Sequence, residues 1–211
     1  MKTNQDYKNA ALAALKGNWT QGVLASLVFI GISLVANMLT SANPESDLAL
    51  LVYAAVLICV SMPLSVGLLS AYKDLYKGTD VKVVENSFKT GFGNWGHHVG
   101  GMLLVGVYTL AWTLLLIVPG IIKSFAYALT PFILIDKPEL SANEAIELSM
   151  KMMDGHKLDL FILYLSFIGW YLLSILTLCV GMLWVMPYMY TAMAAFYEDV
   201  KAEYESKAVV A

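Results

Sequence analysis

The chain has 211 residues, 59% of them hydrophobic and only 14% charged, with a mean hydropathy of +0.67. An ordinary soluble domain carries roughly a quarter charged residues, so this chain lacks the polar surface to cover itself in water and its composition places it in a bilayer. A net charge of −3 without a basic cluster argues against nucleic acid, and Cys59 and Cys179, both inside apolar stretches, exclude a disulfide scaffold or a C-x-x-C metal or redox spacing.

A hydrocarbon core about 30 Å thick needs roughly 20 apolar residues per helix. Stretches free of Asp, Glu and Lys run over 17–44, 48–72, 90–122, 124–135 and 160–197. In chain order, a faintly amphipathic segment carrying Tyr7, Ala10, Ala11 and Ala14 precedes a first span at 19–38. The turn-rich run Ser41-Ala42-Asn43-Pro44-Glu45-Ser46-Asp47 joins it to a second span at 48–72. Val83, Val84, Phe88 and Phe92 mark another amphipathic segment. The stretch from 90 to 135 contains one charge, Lys123, and is too long for a single span at 1.5 Å per residue; Pro119 and Gly120 supply the break, which predicts a third helix near 98–118 and a fourth near 120–136.

Ser141-Ala142-Asn143-Glu144 has the form of a capping box. The helix it opens has Glu144, Glu147, Lys151 and Asp154 at i, i+3, i+7 and i+10, with Glu147 to Lys151 a favourable i, i+4 pair, so it can lie in the headgroup plane or pack under the bundle. Fifth and sixth spans follow near 158–177 and 181–198, bent at 178–181. The expected architecture is all-α: six transmembrane helices forming three hairpin repeats, about 4–77, 81–137 and 141–199, each led by a short cytoplasmic interfacial helix, in one integral membrane domain over 1–211. The repeats share a junction (Gly17-Asn18-Trp19, Gly93-Asn94-Trp95, Gly155-His156-Lys157) and a proline in the second span (Pro63, Pro119, Pro187) with an aromatic residue eight or nine positions later (Tyr72, Tyr127, Phe196).

All thirteen positive side chains are lysines, and twelve of them flank the predicted spans on one side, none in the three opposite turns. Since positive residues collect in cytoplasmic loops, both termini are predicted cytoplasmic. The thirteenth, Lys123, lies thirteen residues before Asp136, roughly 20 Å along a helix axis, which places it in the outer part of the bilayer. Lysine there costs on the order of 3 kcal/mol. It reads either as a site for an anionic group, a lipid phosphate or a transported anion, with Ser124 and Tyr127 beside it, or as a side chain that snorkels to the interface. No carboxylate lies within a span at matching depth. The remaining helix-break positions are Pro63, Pro119, Gly120, Pro131 and Pro187, whose freed carbonyls need partners at membrane depth.

His97 and His98 are adjacent and cannot both face one metal; with His156 the set is still one short of the four ligands zinc needs, so no metal and no cofactor is expected. No G-x-S-x-G or H-E-x-x-H occurs, and an enzyme is not expected. Trp19, Trp95, Tyr72, Tyr76 and Tyr197 fall where an aromatic belt would, and the eleven methionines read as adaptable packing.

The run Val118-Pro119-Gly120-Ile121-Ile122-Lys123-Ser124-Phe125-Ala126-Tyr127, then Thr130-Pro131-Phe132-Ile133-Leu134, Leu140-Ser141-Ala142-Asn143-Glu144-Ala145 and Asp154-Gly155-His156-Lys157, resembles a family of bacterial integral membrane proteins, domain of unknown function 975. Phe167-Ile168-Gly169-Trp170 and Pro187-Tyr188 extend the likeness. The resemblance implies a polytopic protein of the bacterial cytoplasmic membrane with no catalytic residues to carry over. The family is in turn distantly similar to the membrane domain of some glycerophosphodiester phosphodiesterases, which implies a link to lipid by analogy of fold. The expected role is an accessory or scaffolding protein that binds membrane lipids or a partner membrane protein; the alternative is a transporter or channel for a small anion or lipid-like molecule using Lys123. Oligomeric state is not legible.

Overall fold

The computed structural model describes residues 2–42, 46–80 and 82–210, and these are helical with no strand. Helix α1 (Asn4–Leu15) opens on a capping box in which the Thr3 hydroxyl accepts from the Asp6 amide and the Asp6 carboxylate accepts from the Thr3 amide. Its Tyr7, Ala11 and Leu15, at i, i+4 and i+8, form the buried stripe. The long α2 (Trp19–Ala42) follows; Asn43, Pro44 and Glu45 of the expected turn lie outside the described residues. Helix α3 (Asp47–Val56), capped by Ser46, runs through a π-helical turn (Leu57–Ser61) into α4 (Met62–Lys77). Gly78 ends α4 at φ 69°, the left-handed conformation that costs glycine nothing. The chain continues as α5 (Val83–Gly93), α6 (Trp95–Leu115), α7 (Ile117–Ala126) and α8 (Thr130–Asp136). It then forms α9 (Ala142–Met152), α10 (Lys157–Leu165), α11 (Ile168–Leu176) and α12 (Met182–Val210). The capping box at Ser141 and Glu144 forms with both hydrogen bonds, 2.7 and 3.4 Å.

Among the described residues, five segments are long and apolar enough to cross a membrane: Trp19–Met38, Asp47–Lys77, Trp95–Leu115, Ile117–Asp136 and Lys157–Leu176. Helix α12 is not among them, because its apolar first half gives way at Glu198 and Asp199 to a charged second half. The bend expected at 178–181 is a turn in which Leu178 and Cys179 take positive φ, 53° and 67°, and Leu178 is 89% exposed. Apolar side chains are exposed in the same way on either side of the α6–α7 joint, Leu114 to Val118, and on α3 at Leu48, Leu50 and Leu51. In water such tips would be costly; in hydrocarbon they are at home.

The helix breaks differ in part from expectation. The α6–α7 break is at Leu116, whose φ of −159° leaves the helix, three residues before Pro119. Pro119 and Gly120 sit in the first turn of α7, where a missing N–H loses nothing. Pro131 likewise starts α8, after a break at 127–129. Pro187 lies inside α12 without interrupting it, and Pro63 follows a π-helical turn rather than a break.

Each interruption within an apolar segment is satisfied by a side chain from elsewhere. The Cys59 carbonyl, four residues before Pro63, accepts from the Trp95 indole at 3.0 Å. At the α7–α8 break, Ser149 of α9 donates to the Ala126 carbonyl (2.8 Å) and accepts from the Leu129 amide (3.2 Å). At the α10–α11 break, Lys8 of α1 donates to the Ser166 carbonyl at 3.1 Å, its ammonium 4.9 Å above the Phe167 ring. Freed backbone at these places would otherwise be stranded in an apolar setting.

The core gathers where the short helices meet the ends of the long ones: Tyr7 and Leu15 of α1, Leu64 and Leu68 of α4, Phe132 to Leu134 of α8, Ala145 and Met152 of α9, and Ala192 to Tyr197 of α12. Tyr72 and Tyr197, read as belt residues, are fully buried in it, Tyr72 against α2 and the Tyr190 ring of α12 and Tyr197 against the Phe132 ring of α8. Tyr72 donates to the Gly22 carbonyl (3.0 Å), and Tyr7 donates to Asp199 (2.6 Å) while its ring meets Phe196 edge-on at 5.6 Å. Burial opposes ionisation of Asp199, but the Tyr7 hydroxyl and the Lys2 amide outweigh it and hold the carboxyl below its usual range.

Helices α4 and α5 touch backbone to backbone. A Cβ on Gly67 would stand 1.9 Å from the Ser87 carbonyl oxygen, and one on Gly91 2.4 Å from that of Pro63; only small residues permit such an approach. Gly67→Val is therefore expected to lower stability by at least about 1–3 kcal/mol, the usual cost of overpacking, read as a lower thermal midpoint in detergent, whereas Gly93→Ala, with open space at its Cβ, leaves the midpoint near wild type.

Candidate functional site

The interruption at 127–129 decides where Lys123 goes. Because α7 ends at Ala126, α9 can pack across the gap, with Ile146 against Ala126 and Tyr127 and Tyr108 of α6 donating to Asn143 at 2.8 Å. Lys123 thus lines a cavity of about 550 Å³ together with Ile122 and Ala126 of α7, Glu147, Met150 and Lys151 of α9, and Asp154 and Lys157. The helix axis along which its depth was reckoned is interrupted at 127–129. Lys123 shares its surroundings with the polar face of α9, and two carboxylates from outside the spans, Glu147 and Asp154, line the same space.

The Lys123 ammonium lies 5.0 Å from the Trp112 ring centroid and 6.0 Å from that of Tyr127, and among the described residues it forms no ion pair. Lys157 is held loosely, 3.8 Å from an exposed Asp154 carboxylate. The Glu147–Lys151 pair expected from spacing is absent among the described ion pairs; both residues face the cavity instead. Ser124 does not share a hydrogen bond with Lys123. It donates to the Ile121 carbonyl at 2.7 Å and lines a second, apolar cavity. Of the three residues expected to act together, the structure joins Lys123 with Tyr127 and turns Ser124 away.

That second cavity, about 610 Å³, lies between α6, α7, α10 and α12, walled by Met102, Val105, Phe125, Phe161, Tyr164, Leu165, Ile168 and Met193, with Thr109, Ser124 and Tyr127 as its polar members. Tyr164 spends its hydroxyl on the Met193 sulfur, 2.8 Å away. The two cavities lie along one face of α10: Lys157 lines the charged one, and Phe161, Tyr164 and Leu165, at i+4, i+7 and i+8, line the apolar one.

A second polar cluster holds the chain together. Asp136, the last residue of α8, pairs with Lys73 of α4 through one oxygen, and through the other with the Lys201 ammonium (2.6 Å) and the Tyr197 hydroxyl (2.8 Å) of α12. The Tyr197 ring stacks on Phe132 at 4.6 Å and lies 5.9 and 5.7 Å from the two ammoniums. Lys73 and Asp136 keep only 6% and 12% of their side-chain surface. Burial disfavours the charge on Lys201, but its bond and attraction to Asp136 prevail and raise its pKa. Lys77 and Glu198 (2.8 Å) extend the cluster outward. Sequence reading treated these as loop charges; the available signal was one acidic residue closing the fourth span where lysines close the second and sixth.

The histidines separate. His98 is buried with Nδ1 2.8 Å from the Gly91 carbonyl, while His156 lies between Asp159 (3.5 Å) and Glu203 (3.4 Å). Among the described residues no group of three or more His, Cys, Asp or Glu is placed to hold a metal.

An all-helical chain with five segments able to cross a membrane, a charged cavity at one joint and a long apolar cavity beside it belongs, by length and composition, with the polytopic helical membrane proteins. A family model described as a protein of unknown function (DUF975) matches residues 94–204, more than half of the chain, and the protein belongs to that family. No curated protein and no solved structure matches it.

Removing the Asp136 carboxylate leaves a buried Lys73 ammonium without its counter-charge, a change that costs about 3–5 kcal/mol at such sites. Asp136→Ala is expected to depress the thermal midpoint in detergent severely and Asp136→Asn less so, since the amide oxygen still accepts. A midpoint unchanged in both variants contradicts the structural role assigned to the cluster.

Proposed function

We propose that this protein is a non-enzymatic accessory or scaffolding protein of the bacterial cytoplasmic membrane, and that the molecule it holds is a membrane lipid. One observation carries the reading: an apolar cavity of about 610 Å³, whose wall includes Phe161, lies one turn along α10 from Lys157, which lines a second cavity together with Lys123 and Lys151. A ligand that fits both is amphiphilic. From Lys157 to Leu165 the α10 face extends roughly 12 Å at 1.5 Å per residue, enough for part of an extended acyl chain. The alternative, a route for a small anion past Lys123, needs polar groups beyond the lysines, and the wall there is made of Phe161, Leu165 and Ile168. The distant likeness of the family to the membrane domain of some glycerophosphodiester phosphodiesterases points toward lipid as well, at the level of fold alone.

In this reading the first half of α12, Met182 to Tyr197, is a sixth span, so that the chain is three hairpins, each led by a short helix, with both termini on the cytoplasmic side where the lysines gather. The way the interruptions are satisfied supports a threefold arrangement. Trp95 of the second unit serves the first unit, Ser149 of the third serves the second, and Lys8 of the first serves the third. The correspondence is loose, since the interruption falls in the second span of two units and the first span of the other.

Purified protein in nanodiscs with a phosphatidylcholine bearing a diazirine on one acyl tail is expected to give photoadducts concentrated on Met102, Phe161 and Leu165, reduced at least about fivefold by the cavity-filling variant Ala128→Phe. Adducts spread evenly over the exposed apolar faces contradict lipid binding. Reporter fusions after Lys77 and after Lys137 are both expected to report cytoplasm; an external signal from either rules out the six-span arrangement.

A further inference from the structure

Resting on the lipid reading just given, we infer that the charged cavity beside α9 selects anionic phospholipids by their phosphate group, with Lys123, Lys151 and Lys157 as the recognising residues. Lys123 is half-buried on a helix whose neighbouring residues are apolar, its ammonium is flanked by the faces of Trp112 and Tyr127, and its N–H groups meet no carboxylate among the described residues. An ammonium in such a place is costly unless an acceptor reaches it. The aromatic faces supply attraction but accept no ordinary hydrogen bond, so the site is completed by an oxygen anion from outside the chain.

The other walls agree. Lys151 is unpaired among the described ion pairs, and the 3.8 Å contact of Lys157 with an exposed Asp154 is long enough to yield to a better acceptor. Three ammoniums face two carboxylates, Glu147 and Asp154, leaving an excess of one positive charge. Such a balance suits a headgroup with one net negative charge and gives a zwitterionic one no advantage. Glu147 moderates the site, since its carboxylate opposes the anion. The tail direction is set by α10, where Phe161 follows Lys157 by one turn on the same face. The phosphate chemistry is shared by a lipid headgroup and by free phosphate, and the apolar cavity one turn along α10 is what assigns it to lipid.

The test uses the tail-diazirine phosphatidylcholine in nanodiscs and measures how well unlabelled phosphatidylglycerol, unlabelled phosphatidylcholine or inorganic phosphate displaces its cavity adducts. In the wild type, phosphatidylglycerol is expected to compete at a mole fraction at least about fivefold lower than phosphatidylcholine. The variant Lys123→Gln/Lys151→Gln/Lys157→Gln is expected to lose that difference while its thermal midpoint persists. Glu147→Gln, which removes the opposing charge, is expected to widen the difference about two- to threefold, so the inference stays testable even where the triple variant folds poorly. Equal competition by the two lipids in the wild type, or a preference that survives the triple substitution, overturns the headgroup assignment but leaves lipid binding standing. Millimolar inorganic phosphate displacing the probe as well as phosphatidylglycerol, in a lysine-dependent way, overturns it in favour of a soluble anion. Absence of localised adducts with either lipid overturns the lipid reading itself.

Discussion

A buried carboxylate with two ammoniums is the constraint around which this molecule is arranged. Asp136 is taken almost wholly out of solvent together with Lys73, and a charge in that position persists only if its counter-charges and hydrogen-bond donors come to it. They come from far apart in the chain: Lys73 from the end of α4, Lys201 and Tyr197 from α12. Satisfying one residue therefore brings together α4, α8 and α12. The phenol is held between the carboxylate and the Phe132 ring, which lets the polar cluster pack directly on the apolar core instead of interrupting it. Away from this cluster, the tips of α3, α7 and α11 expose leucine and isoleucine, so the packed part and the exposed apolar part of the fold are distinct.

A second constraint follows from the interrupted helices. An interruption in an apolar segment releases carbonyls that water cannot reach, and each must find a donor inside the protein. Trp95, Ser149 and Lys8 supply those donors across element boundaries. The short amphipathic helices are thus more than linkers, because two of them reach into the interruptions with a hydroxyl and an ammonium. The α7–α8 interruption also has a consequence for chemistry. It shortens α7 and admits α9, and the lysine of a long apolar segment becomes a neighbour of a charged helix surface. A continuous helix would have kept Lys123 among apolar side chains and away from Lys151 and Lys157.

Much of this was legible in residue order alone. Runs without charge located five of the long helices to within a few residues, since a bilayer-length apolar stretch has few other uses, and the Ser141–Glu144 box announced the start of α9 because its two hydrogen bonds are local. Local rules were less reliable where partners were remote. Pro119 marked a joint that forms at Leu116, because a proline fits the first turn of a helix better than the break before it. Tyr72 and Tyr197 had the positions of belt residues yet are core, since helices distant in sequence close over them.

What the sequence determined by itself is the class of the protein: apolar segments of bilayer length, amphipathic helices between them and lysines, all but Lys123, at their flanks follow from composition and periodicity, which need no knowledge of contacts. What only the tertiary structure decided is which of the scarce charges meet. The pairing of Asp136 with Lys73 and Lys201, and the gathering of Lys123, Lys151 and Lys157 around one cavity, bridge residues up to 65 positions apart. Electrostatic partners are chosen by distance in space, and the order of residues does not encode that distance until the helices have broken and packed.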